Sequence, residues 1–426
     1  MDALARRLSD GLVDPNRPAI CPICADVDFG EFLNRNVRDA TVRSLRKNHH
    51  EFLKRIMVFL TTPQTAARDR NIKQHMRRCP NRGDLEHELI TDWEFGHAGY
   101  LAAFLCDVVG PCLLYSRGLT TQRFGTNLWP TSPKDLMPFG PAQTFKCLMH
   151  WLATEDSANI ASTLTGVMAY VRRDFMAELE SPSIREEFVS AICHQLETAA
   201  AEEIDLDGDE WDGPGDRRPA YRISCLGILL QLIATGPGSQ ADSLPALVRG
   251  FESKFLDALL CARDASPPGL TKEQLRLFAS TIYEAQGTPL RRMPADIREY
   301  TLDSLEAQDN PYRRLFNQIF TLRNNIGCAT PGCTVHPQDV PGGKLQRCGA
   351  CKLVQYCSRE CQKRHWKAAE YPHKRVCVQL KDLQVDVPLG TRIESYDEFM
   401  DTCENVLTAE EADKLAMQIG PIAPPR

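Results

Sequence analysis

From about residue 86 to residue 325, apolar side chains recur at intervals of three and four. In the stretch SANIASTLTGVMAYVRRDFMAELE, Ile160, Leu164, Val167, Val171, Phe175 and Leu179 fall on one face of a helix. Pro182 ends that segment, and Ser183 with Glu186 supplies a capping box for a second helix that buries Ile184, Phe188, Ile192 and Leu196. Leu244, Leu247, Val248, Phe251, Phe255 and Leu259 make a third apolar face. Leu275, Phe278 and Ile282 make a fourth, behind a Thr271/Gln274 cap. No strand alternation interrupts them. Successive amphipathic helices with short polar joints predict a mainly α chain whose large domain is helical, in the manner of a degenerate helical-repeat array without a fixed period.

The pattern changes at both ends of this stretch. Residues 1–85 are polar and basic and carry a Cys21-Pro-Ile-Cys24 knuckle. Residues 326–380 are poor in aliphatic side chains and rich in cysteine. Residues 381–426 read as a tail with one short helix, Leu407 to Ile419. The acidic interruption from Glu197 to Asp216 tempts a calcium reading through Asp205, Asp207 and Asp209. Glu210 stands where a calcium loop of the EF-hand kind needs glycine, so a solvated loop is expected. The most apolar run, Tyr100 to Tyr115, is too short for a bilayer and contains Asp107, Gly110 and Pro111; it predicts a buried helix with a break.

Composition adds compartment and charge. The first residues, MDALARRLSDGLVD, lack the apolar core of a secretory signal, so the expected setting is intracellular and reducing, nucleus or cytoplasm, with no membrane partner. A net charge of −6 over 426 residues argues against wholesale nucleic-acid binding. Seventeen cysteines are many for such a compartment, and seven of them lie within the 50 residues from Cys328 to Cys377. Only a metal site explains that concentration.

The order is Cys328-x4-Cys333, Cys348-x2-Cys351, Cys357-x3-Cys361 and His373-x3-Cys377. Seven thiolates and one imidazole make eight ligands, enough for two tetrahedral zinc ions, and each pair is close enough for one turn to aim both donors at one metal. A segment this short and polar cannot fold on apolar burial, so metal binding must supply on the order of 10 kcal/mol per site.

CGACKLVQYCSRECQKRHW followed by HKRVC closely resembles the MYND-type zinc finger, over about 50 of the 426 residues. The resemblance implies a cross-braced finger in which Cys328, Cys333, Cys357 and Cys361 hold one zinc and Cys348, Cys351, His373 and Cys377 the other. Two departures stand out. The first pair is spaced by four residues rather than two, and AAEYP is inserted before His373, which makes His365 a competing ligand. Neighbouring Trp366 and the intact H-x3-C favour His373.

The resemblance further implies that Gln362 and Trp366 form a shallow groove for proline-containing peptides, with a peptide strand running beside Leu353 to Tyr356. The alternative for Trp366 is a plug in the small core between the zincs. Lys344, Arg347, Lys352, Arg359, Lys363, Arg364, Lys367, Lys374 and Arg375 make the finger basic, which offsets thiolate charge rather than suiting DNA readout. The implied function is a zinc-binding adaptor that recruits protein partners, in a setting such as transcriptional regulation.

Two further constellations remain. Cys21 and Cys24 with His75-x3-Cys79 would complete a third zinc site, with His49 and His50 as rival partners. The alternative function is an enzyme, for example a methyltransferase, with its catalytic site in the helical region. Against it, Asn48-His49-His50 is followed by Glu51 and Phe52, which fails the Asn-His-x-Cys signature of the SET methyltransferases, and Cys193 and His194 look like core-edge residues.

Overall fold

The computed structural model describes the chain apart from residue 1, segments 34–37, 80–96, 115–123, 125–126, 203–218 and 236–242, residue 268, segment 325–326, residues 332 and 334, and segments 336–339, 341–343, 388–395 and 420–426. The acidic stretch around Asp205, Asp207 and Asp209 lies outside the described residues. The described chain is mainly helical, with one two-stranded sheet. Two compact units divide it: residues 1–236 with 243–282, and residues 283–426 with 237–242.

The first unit opens with α1 (Asp2–Gly11), α2 (Pro22–Leu33), α3 (Arg38–Asn48), α4 (His50–Thr61) and α5 (Ala66–Arg77). It continues through α6 (His97–Leu114), α7 (Pro133–Leu136), α8 (Pro141–Thr154), α9 (Ala158–Glu178), α10 (Pro182–Ala201) and α11 (Pro219–Thr235). Then come α12 (Ser243–Val248), α13 (Glu252–Ala265) and α14 (Leu270–Ala285), the last belonging to this unit as far as Ile282. Helix α9 is central and packs on α6, α8 and α11. Its predicted face, Ile160 to Leu179, is buried throughout. The helix is kinked at Val171, where φ is −127° and ψ is 32°. Helix α6 runs on through Pro111 rather than breaking there, and closes against α9 where Gly166 meets Leu113: a Cβ on Gly166 would lie 2.5 Å from that of Leu113. No helix among the described residues is long and apolar enough to cross a membrane.

Buried arginines tie the ends of helices. Arg68, fully buried, donates to the Phe59 and Thr62 carbonyls at 2.6 and 2.8 Å, and so caps the end of α4. Arg172 does the same for α11 through the Leu232 and Ile233 carbonyls. Predicted caps shift by a residue or two: Pro182 is the first residue of α10, so Ser183 lies inside the helix and Ser181 precedes it. Thr271 likewise falls within α14.

The second unit comprises a 3-10 turn at Leu290–Arg292, α15 (Ala295–Asp309), α16 (Pro311–Asn324), β1 (Gln346–Arg347), β2 (Gln355–Tyr356) and α17 (Arg359–Trp366). It ends with α18 (His373–Asp386), α19 (Tyr396–Glu404) and α20 (Ala409–Ile419). The antiparallel hairpin pairs Gln346 with Tyr356 and Arg347 with Gln355. A single apolar cluster joins Leu315 and Ile319 of α16, Val354 and Tyr356 of the hairpin, Leu380 of α18, Phe399 of α19 and Leu415 of α20. Among the described residues after α18, α19 and α20 are packed into this cluster, two helices where periodicity indicated one. Thr408 and Glu411 form the capping box of α20: the Glu411 N–H donates to Thr408 Oγ1, and the Thr408 N–H donates back to the Glu411 carboxylate at 2.9 Å.

Candidate metal centre

Within the second unit, the eight predicted donors form two groups. Cys328, Cys333, Cys357 and Cys361 have their sulfurs within 4.8 Å of one another, and so do the donor atoms of Cys348, Cys351, His373 and Cys377. First and third pairs share one group and second and fourth the other, so each ion would staple segments that enclose part of its neighbour's.

Local structure sets the donors in place. Cys348 begins a tight knuckle: its N–H donates to the Val354 carbonyl at 2.8 Å, and Lys352 adopts the left-handed conformation at φ 52°. The Ala329 N–H reaches the Gln355 carbonyl at 2.9 Å and fastens the first cysteine loop to the hairpin. Ser358 is the N-cap of α17; its Oγ accepts from the Cys361 N–H at 3.1 Å, which fixes Cys361 in the first turn. Thr330 Oγ1 donates to the Cys361 carbonyl at 2.8 Å. Pro372 precedes α18, so His373 and Cys377 stand one turn apart on the same face.

Zinc fits this geometry. A tetrahedral ion with Zn–S bonds of about 2.3 Å separates its sulfurs by about 3.8 Å. Here Cys333 and Cys357 are 3.7 Å apart, Cys333 and Cys361 3.8 Å, Cys357 and Cys361 3.4 Å, and Cys348 and Cys377 3.6 Å. His373 Nε2 lies 3.5 Å from Cys351 Sγ. Its rival is engaged elsewhere: His365 Nδ1 pairs with the Tyr356 hydroxyl at 3.1 Å.

The electrostatics suit cation binding. Burial, aided by hydrogen bonds to neighbouring sulfurs, pushes the Cys357 thiol up to about 12. At Cys361 burial is outweighed by side-chain hydrogen bonding with Cys357, Cys333, Ser358 and Thr330, and the thiol comes down to about 7. In the second group Cys348 is lowered: burial opposes, but the Cys351 and Ala350 N–H groups and the Cys377 thiol prevail. Cys377 rises to about 12, through burial and the charge of Cys351. His373, buried and beside His365, falls to about 4 and is neutral, as a ligand must be. Each group thus pairs a thiolate-prone sulfur with protonated neighbours, and a metal would displace those protons. All nine predicted basic residues of the segment are exposed. Arg364 directs Nη2 at Cys361 Sγ from 3.6 Å.

A helical chain carrying a cross-braced finger with two groups of four sulfur and nitrogen donors defines a structural zinc protein, its coordination closed by protein ligands. The MYND finger family model matches residues 328–377, the span of these eight donors. The segment is a MYND-type finger, a zinc-binding protein-interaction module compatible with two zinc ions. No solved structure matches the chain.

Gln362 and Trp366 lie one turn apart on α17. Trp366 is 38% exposed, and its ring meets that of His373 edge-on at 5.8 Å between centroids. The core between the clusters is filled by Tyr356 instead, which is 1% exposed. Nothing in the sequence pattern marked Tyr356 for that role beyond its place in the Tyr-Cys pair. Beside the hairpin, the Val354 carbonyl accepts from Cys348 within the ladder, and the Gln355 carbonyl accepts from Ala329, which occupies that point of the β2 edge.

Proposed function

We propose that the finger holds one zinc through Cys328, Cys333, Cys357 and Cys361 and a second through Cys348, Cys351, His373 and Cys377, and that α17 docks proline-containing segments of protein partners on Trp366 and Gln362. The observation that carries this reading is the exposed indole of Trp366, braced edge-on against the His373 ring. A proline ring stacks well on an exposed indole face, and an extended proline-rich peptide loses little entropy on docking. The reading draws on Trp366 and Gln362 rather than on strand addition, given that Ala329 already takes the Gln355 carbonyl. As a recruiting module the chain acts as an adaptor, with transcriptional regulation as one setting.

The test uses the full chain and a panel of proline-rich peptides, with binding read by calorimetry. Trp366→Ala is expected to weaken the best peptide by about 30-fold, the loss typical of a tryptophan hot spot of about 2 kcal/mol, with zinc content unchanged. Unaltered affinity in that variant overturns the docking site.

The enzyme alternative has less support. Cys193 is buried in the core of α10 with its thiol raised to about 11 by burial, while His194 beside it is exposed. A cavity of about 570 Å³ in the first unit is lined by Cys147, His150 and Glu187 among others. Burial raises the Cys147 thiol, the wrong direction for a nucleophile.

A further inference from the structure

Outside the finger, a third group of sulfurs gathers in the first unit. Cys21, Cys24 and Cys79 place their Sγ atoms within 4.8 Å of one another, although Cys24 and Cys79 are 55 residues apart in sequence. The Cys24 and Cys79 sulfurs are 3.4 Å apart, the same separation as Cys357 and Cys361 in the finger. The knuckle geometry also repeats. The N–H groups of Ile23 and Cys24 donate to Cys21 Sγ, as those of Ala350 and Cys351 donate to Cys348 Sγ. At Cys21 burial outweighs these two donors and holds the thiol up, whereas at Cys348 the donors prevail.

The elements explain the convergence. Pro22 is the first residue of α2, so Cys21 and Cys24 flank its opening turn, while Cys79 follows the end of α5. Both helices pack on α6, which brings those two ends together. His75, half-buried in the last turn of α5, stands four residues before Cys79, the same H-x3-C spacing as His373 and Cys377. Its ring nitrogens are not among the atoms within 4.8 Å of the three sulfurs. The rival histidines are engaged elsewhere, His49 with Asp2 at 3.0 Å and His50 with the Arg46 carbonyl at 2.6 Å.

We propose that Cys21, Cys24 and Cys79 bind a third, structural zinc ion, with His75 turning in as the fourth ligand. The ion clips the start of α2 to the end of α5 and closes the N-terminal helices into a loop, independently of the finger and of any peptide it binds.

Metal analysis of the full chain, purified under reducing conditions, decides this. The native protein is expected to carry three zincs. Cys24→Ser with Cys79→Ser is expected to carry two, Cys357→Ser with Cys361→Ser two, and the four changes combined one. Two zincs in the native chain, with one left in the finger variant, would overturn the proposal whether or not the N-terminal variant folds. So would a native chain whose Cys24 and Cys79 are found joined as a disulfide by mass spectrometry. For the fourth ligand, His75→Ala is expected to release one zinc to a competing chelator at least about tenfold more readily. Release indistinguishable from the native protein would remove His75 from the site.

Discussion

The two units use cysteine in opposite ways. In the first, Cys106 and Cys112 of α6 are fully buried among apolar side chains, and desolvation pushes both thiols up to about 12. They fill space as small apolar groups. In the finger, burial is offset at Cys361 and Cys348 by hydrogen bonds from neighbouring thiols and backbone amides. Burial alone therefore does not separate an inert cysteine from a ligand; the separation lies in what the sulfur faces. The same contrast marks the finger within its unit: the donor groups rely on metal coordination, while the apolar cluster beside them and the α9 core of the first unit rely on packing.

The largest test of that contrast is loss of a ligand. Cys348→Ser is expected to remove one zinc and on the order of 10 kcal/mol from the finger. Hydrogen exchange should then show the hairpin and the first turn of α18 losing protection while α9 and α10 of the first unit keep theirs. Retained protection around the hairpin would mean that apolar packing suffices there. The converse variant is Phe188→Ala, which empties a site where the ring packs on Phe145 at 5.6 Å between centroids. It is expected to cost the first unit about 3–5 kcal/mol in denaturant unfolding, with the metal count unchanged. A zinc loss in that variant would erase the division between the two units.

Acid gives the smallest effect. His373 is buried and falls to about 4, against 6.5 for a free imidazole, through burial first and the charge of His365 second. Between those values the unfolded chain holds the extra proton. The stability from keeping this ring neutral is thus complete above about pH 6.5 and is lost as the pH falls through 4, by up to about 3 kcal/mol. Zinc displacement runs in the same direction. A thermal midpoint for the second unit that stays flat from pH 7 to pH 4.5 would contradict this burial.

Legibility in the sequence followed the same division. The finger was readable because ligand spacing is a local constraint: one turn must present two donors, and the pairs from Cys328 to Cys377 record that directly. The apolar face of α9 was equally plain, since all six of its periodic residues are buried. Where periodicity misled, a local backbone rule had intervened. The run from Leu244 to Leu259 is two helices, because Gly250 takes a positive φ of 88° and Phe251 caps the second. Ile184 is only half-buried, because it borders the cavity rather than the core. Helix α19 went unseen: its burial of Phe399 and Cys403 answers to partners far away in sequence, Phe316 of α16 among them, at 5.2 Å between ring centroids. The gathering of Cys79 with Cys21 and Cys24 likewise depends on how α2 and α5 meet α6, which spacing cannot express.

The apolar cluster that runs from α16 through the hairpin to α20 has a practical corollary. Leu315 and Leu415 lie on opposite sides of the finger in sequence and meet beneath it, so the finger is not a cassette to be cut out or grafted elsewhere at its metal ligands. A transplant ending at Cys377 would leave Val354, Tyr356 and Val376 facing water in place of the side chains of Phe399 and Leu415. Such a graft would bind its metal on a sticky underside, and its natural fate would be to associate with copies of itself.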